Sequence, residues 1–180
     1  MEKLILTQTS INIGRIDNVN NALLKDHCLK FKNTPLNTRG EDPTDTFYED
    51  SNIPMNKEIE KIINIINNNY NNKLQLKEFW AHIHEHNQST NLHHHALIDN
   101  LKESPTLSAV YYVSVPKESG VIVFEYNVNQ FKKKRYWIKP EVGLFIVFPS
   151  TLEHFVTRNK SQEERISISF NWSNNDTNNS

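Results

Sequence analysis

Histidine supplies most of the chemistry this chain could perform. There are 8 histidines in 180 residues, clustered at His82, His84, His86, His93, His94 and His95, with His154 far downstream. Neutral imidazole is the commonest side-chain ligand for transition metals and suits iron, zinc, copper and nickel. If the backbone is extended, His93 and His95 point to one side with Cα atoms about 6.6 Å apart, close enough to share an ion. His94 then faces the other way, and a one-residue slip would put it in place of His93. His154 follows Phe148-Pro149-Ser150 at the end of an apolar run, and strands distant in sequence meet when a sheet rolls up on itself. The bland reading of His93–His95 is a polar run in a loop. His82, His84 and His86 alternate with Trp80. They either line the same pocket or form the polar side of a half-exposed strand, which is the simpler expectation.

Arg165 is the second chemical feature. In Arg-Ile-Ser-Ile-Ser-Phe-Asn, alternation puts Arg165, Ser167 and Ser169 on one face and Ile166, Ile168 and Phe170 on the other. A buried arginine is costly unless it meets an anion. Its planar fork suits a carboxylate, with Ser167 as an added donor. Taken alone, Arg165 would equally sit in solvent at a strand start.

These residues need elements to hold them. Val19, Leu23, His27 and Phe31 recur at four-residue steps and predict a helix over Asn18–Phe31, capped by Asp17 or Asn18. Ile59, Ile62, Ile63 and Ile66 predict a second helix over Asn56–Asn69. Met1–Ile16 alternates loosely, enough for one or two edge strands. Asn33–Pro54 is rich in Asn, Thr, Gly, Asp and Pro and reads as a long loop, a candidate lid. After Tyr70, short β-branched runs alternate with turn signals. The strands expected are Phe79–His86, Leu107–Val115, Gly120–Glu125, Lys134–Ile138, Leu144–Phe148 and Arg165–Asn171, with turns at Pro116–Gly120 and Pro140–Gly143. Helices followed by many short strands predict an α+β chain, mainly β, with two N-terminal helices packed on a sandwich or jelly roll.

The length fits one domain: residues 1–172, with helical support in 1–72, a β core in 73–172, and a polar tail at 173–180 expected to be disordered. The hydrophobic fraction of 37% excludes general disorder. With 20 Lys+Arg against 21 Asp+Glu, a net charge of -1 argues against duplex nucleic acid as partner. The single cysteine, Cys28, excludes a disulfide framework, and Met1–Leu6 does not read as a signal peptide, so a cytoplasmic location is expected. No stretch has membrane-span character. The sequon Asn171-Trp172-Ser173 reads as chance.

The ordered set of motifs resembles the iron(II)/2-oxoglutarate oxygenase superfamily, most nearly its small prolyl-hydroxylase-like branch and the 2-oxoglutarate oxygenases met in phage and marine microbial genomes. The likeness runs from about Trp80 to Asn171. Trp80 opens a strand leading to His93-His94-His95. Leu107–Val113, Pro116–Phe124 and Lys139–Pro149 with its P-x-x-G turn resemble the strands that follow. His154-Phe155-Val156 and Arg165–Asn171 complete the order.

That resemblance implies a double-stranded β-helix of cupin type and an oxidoreductase using iron(II), 2-oxoglutarate and dioxygen. His93 and His154 would bind the metal, Arg165 and Ser167 the distal carboxylate of 2-oxoglutarate. Tyr112 would donate to the same carboxylate or simply pack in the core. The family usually has an acid where this chain has His95. Either His95 ligates, the reading preferred here because of its spacing, or a coordination position stays open as in the halogenating branch, or Asp99, Glu85 or Glu125 folds in. The implied outcome is hydroxylation of a protein side chain, peptide or amino acid, and the resemblance allows a homodimer. The alternatives are a three-histidine cupin without 2-oxoglutarate, in which Arg165 has no task, and a catalytically silent jelly-roll module.

Overall fold

A computed structural model describes residues 9–34, 50–71, 73–97, 99–100 and 102–174. The element order is β1 (Asn12–Arg15), α1 (Asn21–Lys30), β2 (Asp50–Ser51), α2 (Lys57–Asn69), β3 (Leu74–His84), β4 (Thr90–His93), β5 (Leu107–Ser114), β6 (Ile122–Asn129), β7 (Lys132–Ile138), β8 (Leu144–Pro149), β9 (His154–Val156) and β10 (Arg165–Asn174). Two antiparallel sheets form, one ordered β1-β8-β5-β10-β3-β2 and the other β4-β9-β6-β7. This is the mainly β, double-stranded arrangement expected, with both helices N-terminal to the core strands.

Strand alternation sorts the core into two layers. Val110, Tyr112, Ile146 and Phe148 of the larger sheet face Ile122, Phe124, Ile138 and Val156 of the smaller one and fill the barrel. The opposite face of the larger sheet carries Ala81, Ile83, Tyr111, Ile166, Ile168 and Phe170, which pack under the helices. From α2, Ile59, Ile62 and Ile66 are fully buried, as their spacing demands. Each such side chain contributes about 1.5–3 kcal/mol by leaving water.

Several expectations change. The cap of α1 is Asn20, whose side chain accepts from Leu23 N at 3.1 Å, rather than Asp17 or Asn18. The buried face of α1 is Leu24 and Cys28, while Leu23 is exposed. Of the predicted stripe, Val19 is buried and Phe31 packs partly against the core, but Leu23 is not, because α1 is barely amphipathic and docks through Leu24 and Cys28. The Cys28 thiol is pushed up to about 12 by burial. β3 begins five residues before Phe79, and the short strands β2, β4 and β9 complete the sheets, while β1 is an edge strand of the kind expected in Met1–Ile16. β2 falls within the predicted loop; residues 35–49, most of the lid segment, lie outside the described residues, as do 1–8 and 175–180 of the termini. Residues 173–174 end β10 rather than beginning a free tail. The sequon asparagine, Asn171, is buried, accepting from Ser108 Oγ at 2.7 Å and donating to Glu78 Oε1 at 2.6 Å. No helix among the described residues is long and apolar enough to cross a membrane.

Candidate metal centre

β4 and β9 pair so that His93 stands directly opposite His154. Directly opposed residues project to one face, and that face is the barrel interior. The chain after β4 stays tied to the barrel by His95 N donating to Ser150 O at 2.8 Å, which turns the His95 ring inward as well. One ligand nitrogen from each of His93, His95 and His154 then lies within 4.8 Å of the others. His154 begins its own strand rather than trailing the run that ends at Phe148.

Hydrogen bonds fix how these rings point. His93 Nδ1 lies 2.8 Å from Asn91 O, and His154 Nδ1 lies 2.9 Å from Leu152 O. A carbonyl only accepts, so both rings carry their proton on Nδ1 and leave Nε2 as a lone pair. This outer tie is the one that orients metal-binding histidines. Burial, and then the neighbouring His93, holds His154 well below the ordinary histidine pKa, so it stays neutral. His95 Nε2 lies 3.3 Å from His154 Nε2. Two nitrogens bound about 2.1 Å from one ion at ordinary angles stand roughly 3.0–3.4 Å apart. The donor set therefore fits a transition metal. His94 is half-buried outside this group, so the slipped register is not the one observed.

The acids offered by sequence do not join the group. Asp99 is exposed. Glu85 pairs with Lys32. Glu125 faces away from the interior and binds Lys133 and Arg135, each at 2.9 Å.

Deeper in the barrel, β10 lies between β3 and β5 and pairs with both, setting Arg165 opposite His84 and Ser167 opposite His82 and Tyr112. Arg165, His84, His82, Tyr112 and Ser167 line one pocket with the three histidines. Arg165 is 1% exposed and no acid pairs with it among the described residues. Its guanidinium lies 5.2 Å from the Tyr112 ring centre, and Nη1 lies 3.2 Å from His84 Nδ1. Burial pulls the Arg165 pKa down. Burial also pushes the Tyr112 hydroxyl up, against the pull of the Arg165 charge. Arg165 Nε and the Tyr112 hydroxyl are both buried without a hydrogen-bond partner among the described residues. A buried cation with an unsatisfied Nε–H of its own and an unsatisfied hydroxyl beside it fits an anionic ligand carrying acceptor oxygens.

His82 and His84 are buried pocket walls rather than a half-exposed face, whereas His86 lies beyond β3 and is exposed. The His84 pKa is lowered to about 2 by burial and by the nearby Arg165 and His82, so the ring is neutral. Its Nδ1 accepts from Arg165, which leaves Nε2–H to donate to Thr90 Oγ1 at 2.7 Å. His82 Nε2 accepts from Trp80 Nε1 at 3.1 Å, so its proton sits on Nδ1, 2.6 Å from Asp50 Oδ1. Sequence reading missed Asp50 because it sits in a stretch rich in loop residues. Thr90 and Asn159 were missed too. Asn159, fully buried, donates to His84 O and Glu163 O, each at 2.9 Å, and so clamps the strand ends carrying His84 and Arg165.

Residues 78–171, just over half the chain, match the family model described as "Putative 2OG-Fe(II) oxygenase". Among solved structures, a prolyl-4-hydroxylase from Pseudomonas putida is similar at 15% identity, with 95% of this chain and 88% of that one covered and a TM-score of 0.54. The viral collagen prolyl hydroxylase of Paramecium Bursaria Chlorella virus-1, solved as a 2OG complex, aligns at 14% identity over 90% of this chain and 94% of its own, with a TM-score of 0.59. The alpha ketoglutarate dependent epimerase SnoN of nogalamycin biosynthesis aligns at 19% identity over 63% of this chain, with a TM-score of 0.50; this chain spans 52% of its length. At these identities the likeness is one of fold. No curated protein matches the chain.

Proposed function

Because this chain belongs to the 2OG-Fe(II) oxygenase family, we propose that it is an iron(II)- and 2-oxoglutarate-dependent oxygenase, with His93, His95 and His154 holding the iron and Arg165 the keto acid. Iron(II) and 2-oxoglutarate together supply oxidation of a substrate C–H bond by dioxygen, coupled to decarboxylation of the keto acid. The residues of the chain position these groups. His93 and His154 present lone pairs fixed by their carbonyl bonds, and His95 supplies the third nitrogen where the family's acid would stand. The three histidines would hold the metal from one side, and the rest of the pocket would receive co-substrate and dioxygen. Arg165 receives the distal carboxylate of the keto acid, with the Tyr112 hydroxyl and Ser167 as further donors. Val110, Ile122, Phe148 and Val156 line the same pocket and exclude water from it.

The single observation that carries this reading is Arg165: fully buried, without an acid among the described residues, and in one pocket with the three histidines. A three-histidine cupin that uses no keto acid has no task for it. A protein side chain, peptide or amino acid is the substrate class that best fits the prolyl-hydroxylase-like core, with hydroxylation as the outcome. The test is anaerobic addition of iron(II) and then 2-oxoglutarate to metal-free protein. Wild type is expected to develop a weak visible charge-transfer band that Arg165→Ala and His154→Ala lack. Iron binding without a band would overturn the keto-acid assignment, and no iron binding would overturn the metal centre.

A further inference from the structure

The hairpin of β6 and β7 outruns the barrel. From Tyr126 to Trp137 its described side chains are exposed on both faces, and Phe131 at the tip is 89% exposed. Isolated hydrophobes on a surface need no explanation, but here Tyr136 and Trp137 are also more than half exposed on the same hairpin. Between Tyr126 and Lys139 the sequence holds Lys132, Lys133, Lys134, Arg135 and Lys139 and no acid. The chain as a whole is at -1, so this cationic strip is a local feature.

Register shows where the strip points. Phe124 stands opposite both His154 and Tyr136, and His154 opposite His93. One row across the smaller sheet therefore runs His93, His154, Phe124, Tyr136, all on the interior face. Tyr136 is two strands from His154, about 10 Å away. The next interior-facing pair toward the hairpin tip is Tyr126 with Lys134. β4 runs parallel to β6, so His95 lies toward that same end. The overhang thus continues the inner wall past the metal ligands, on the side away from Arg165. On its outer face Lys133 and Arg135 are taken up by Glu125 and Glu153, whereas Lys132 and Lys134 have no acidic partner among the described residues. β7 is the end strand of its sheet, and its outer edge carries backbone donors and acceptors with no strand beside them among the described residues.

We propose that the free edge of β7 and the inner face of the hairpin, with Lys132, Lys134, Tyr126 and Tyr136, dock an extended acidic peptide segment of the substrate. This rests on the oxygenase reading above and narrows its substrate to a polypeptide. A strand added beside β7 satisfies its edge groups, and acidic side chains at alternate positions meet Lys132 and Lys134. Such a strand lies about 14 Å from the metal row, so roughly four residues of extended chain separate the acidic anchor from the residue that is oxidised. A second copy of this chain is a poor occupant. Antiparallel pairing of β7 with itself at full overlap sets Arg135 against its own copy and brings a second cationic run with no acid to offset it, and directly opposed like charges are destabilising. Single-stranded nucleic acid could use the aromatics and lysines but would leave the strand edge unsatisfied.

A random dodecapeptide library panned anaerobically on the iron- and 2-oxoglutarate-loaded protein tests this, with the charge-transfer band recorded on the same sample. Enriched peptides are expected to be rich in Asp and Glu. Their affinity, read by fluorescence anisotropy, should fall about tenfold in the Lys132→Glu, Lys134→Glu double variant while the band is unchanged. Enriched peptides without acidic bias, or with equal affinity for the double variant, would overturn the proposal. So would binding of an oligo(dT) probe, or concentration-dependent dimerisation, lost in the same variant while acidic peptides are ignored. Acidic-peptide binding without a band would leave the docking site standing and overturn the oxygenase reading instead.

Discussion

His84 Nδ1 accepts from Arg165 Nη1 at 3.2 Å, so a neutral histidine holds one arm of the guanidinium that faces the pocket. Thr90 holds the other nitrogen of the ring, and the lowered pKa keeps His84 from turning into a repelling cation.

Replacing His84 with Ala should free the Arg165 fork and weaken 2-oxoglutarate binding about tenfold, the worth of one hydrogen bond to a charged group. Iron affinity should not change. Titrating the charge-transfer band with 2-oxoglutarate separates the two, and His84→Asn should recover part of the loss. Unaltered 2-oxoglutarate affinity in both variants would show that Arg165 needs no such support.

His95 stands where an acid is usual. Removing a metal ligand should cost at least the 10–100-fold in affinity seen for outer partners, so His95→Ala is expected to lose iron by that margin or more. His95→Asp should retain it. Iron titration under argon measures both, and wild-type affinity in His95→Ala would remove His95 from the centre.

Stability should fall in acid. The folded-state pKa of His84 is lowered to about 2, below an unfolded value near 6.5. Below 6.5 the unfolded chain binds a proton that the native ring refuses, so unfolding is favoured progressively down toward pH 2. The slope is up to about 1.4 kcal/mol per pH unit. Urea melts of metal-free protein from pH 7 to 4 should show this decline, and His84→Asn should show a shallower one by about that slope.

Gly120 turns the chain into β6 at φ +84°, and an added Cβ would sit 2.3 Å from Thr157 O, a backbone atom that cannot swing aside. Gly120→Ala is expected to destabilise by about 1–3 kcal/mol in denaturant melts, through strain and clash together. A loss within error would mean that the turn moves freely.

What the sequence revealed follows its periodicity. The alternation in Arg165–Asn171 was long enough to put Arg165 and Ser167 on one face, and the pocket contains both; Tyr112, which lines it too, was named through the resemblance alone, since Leu107–Val115 does not alternate. The isoleucines of α2 were equally legible. β4 and β9, with four residues and three, are too short to carry a period, although they hold His93 and His154. Asp50 was invisible for another reason: its meaning comes from pairing β2 with β3, which brings it against His82, and nothing local announces that pairing. The face of α1 was misread because Leu23 and Leu24 are equally apolar and only docking on the sheet chooses between them.

β10 bonds to β3 on one side and β5 on the other. Without it the larger sheet separates into the ribbons β1-β8-β5 and β3-β2. The strand that carries Arg165 is thus the keystone of the sheet. Arg165 opens β10 opposite His84 of β3, and from Ile166 onward both edges of the strand are taken, so releasing the strand that anchors Arg165 divides the sheet in two. Amide hydrogens of Ile166 to Phe170 therefore belong to the slowest-exchanging class in the molecule, opening only when the whole domain does.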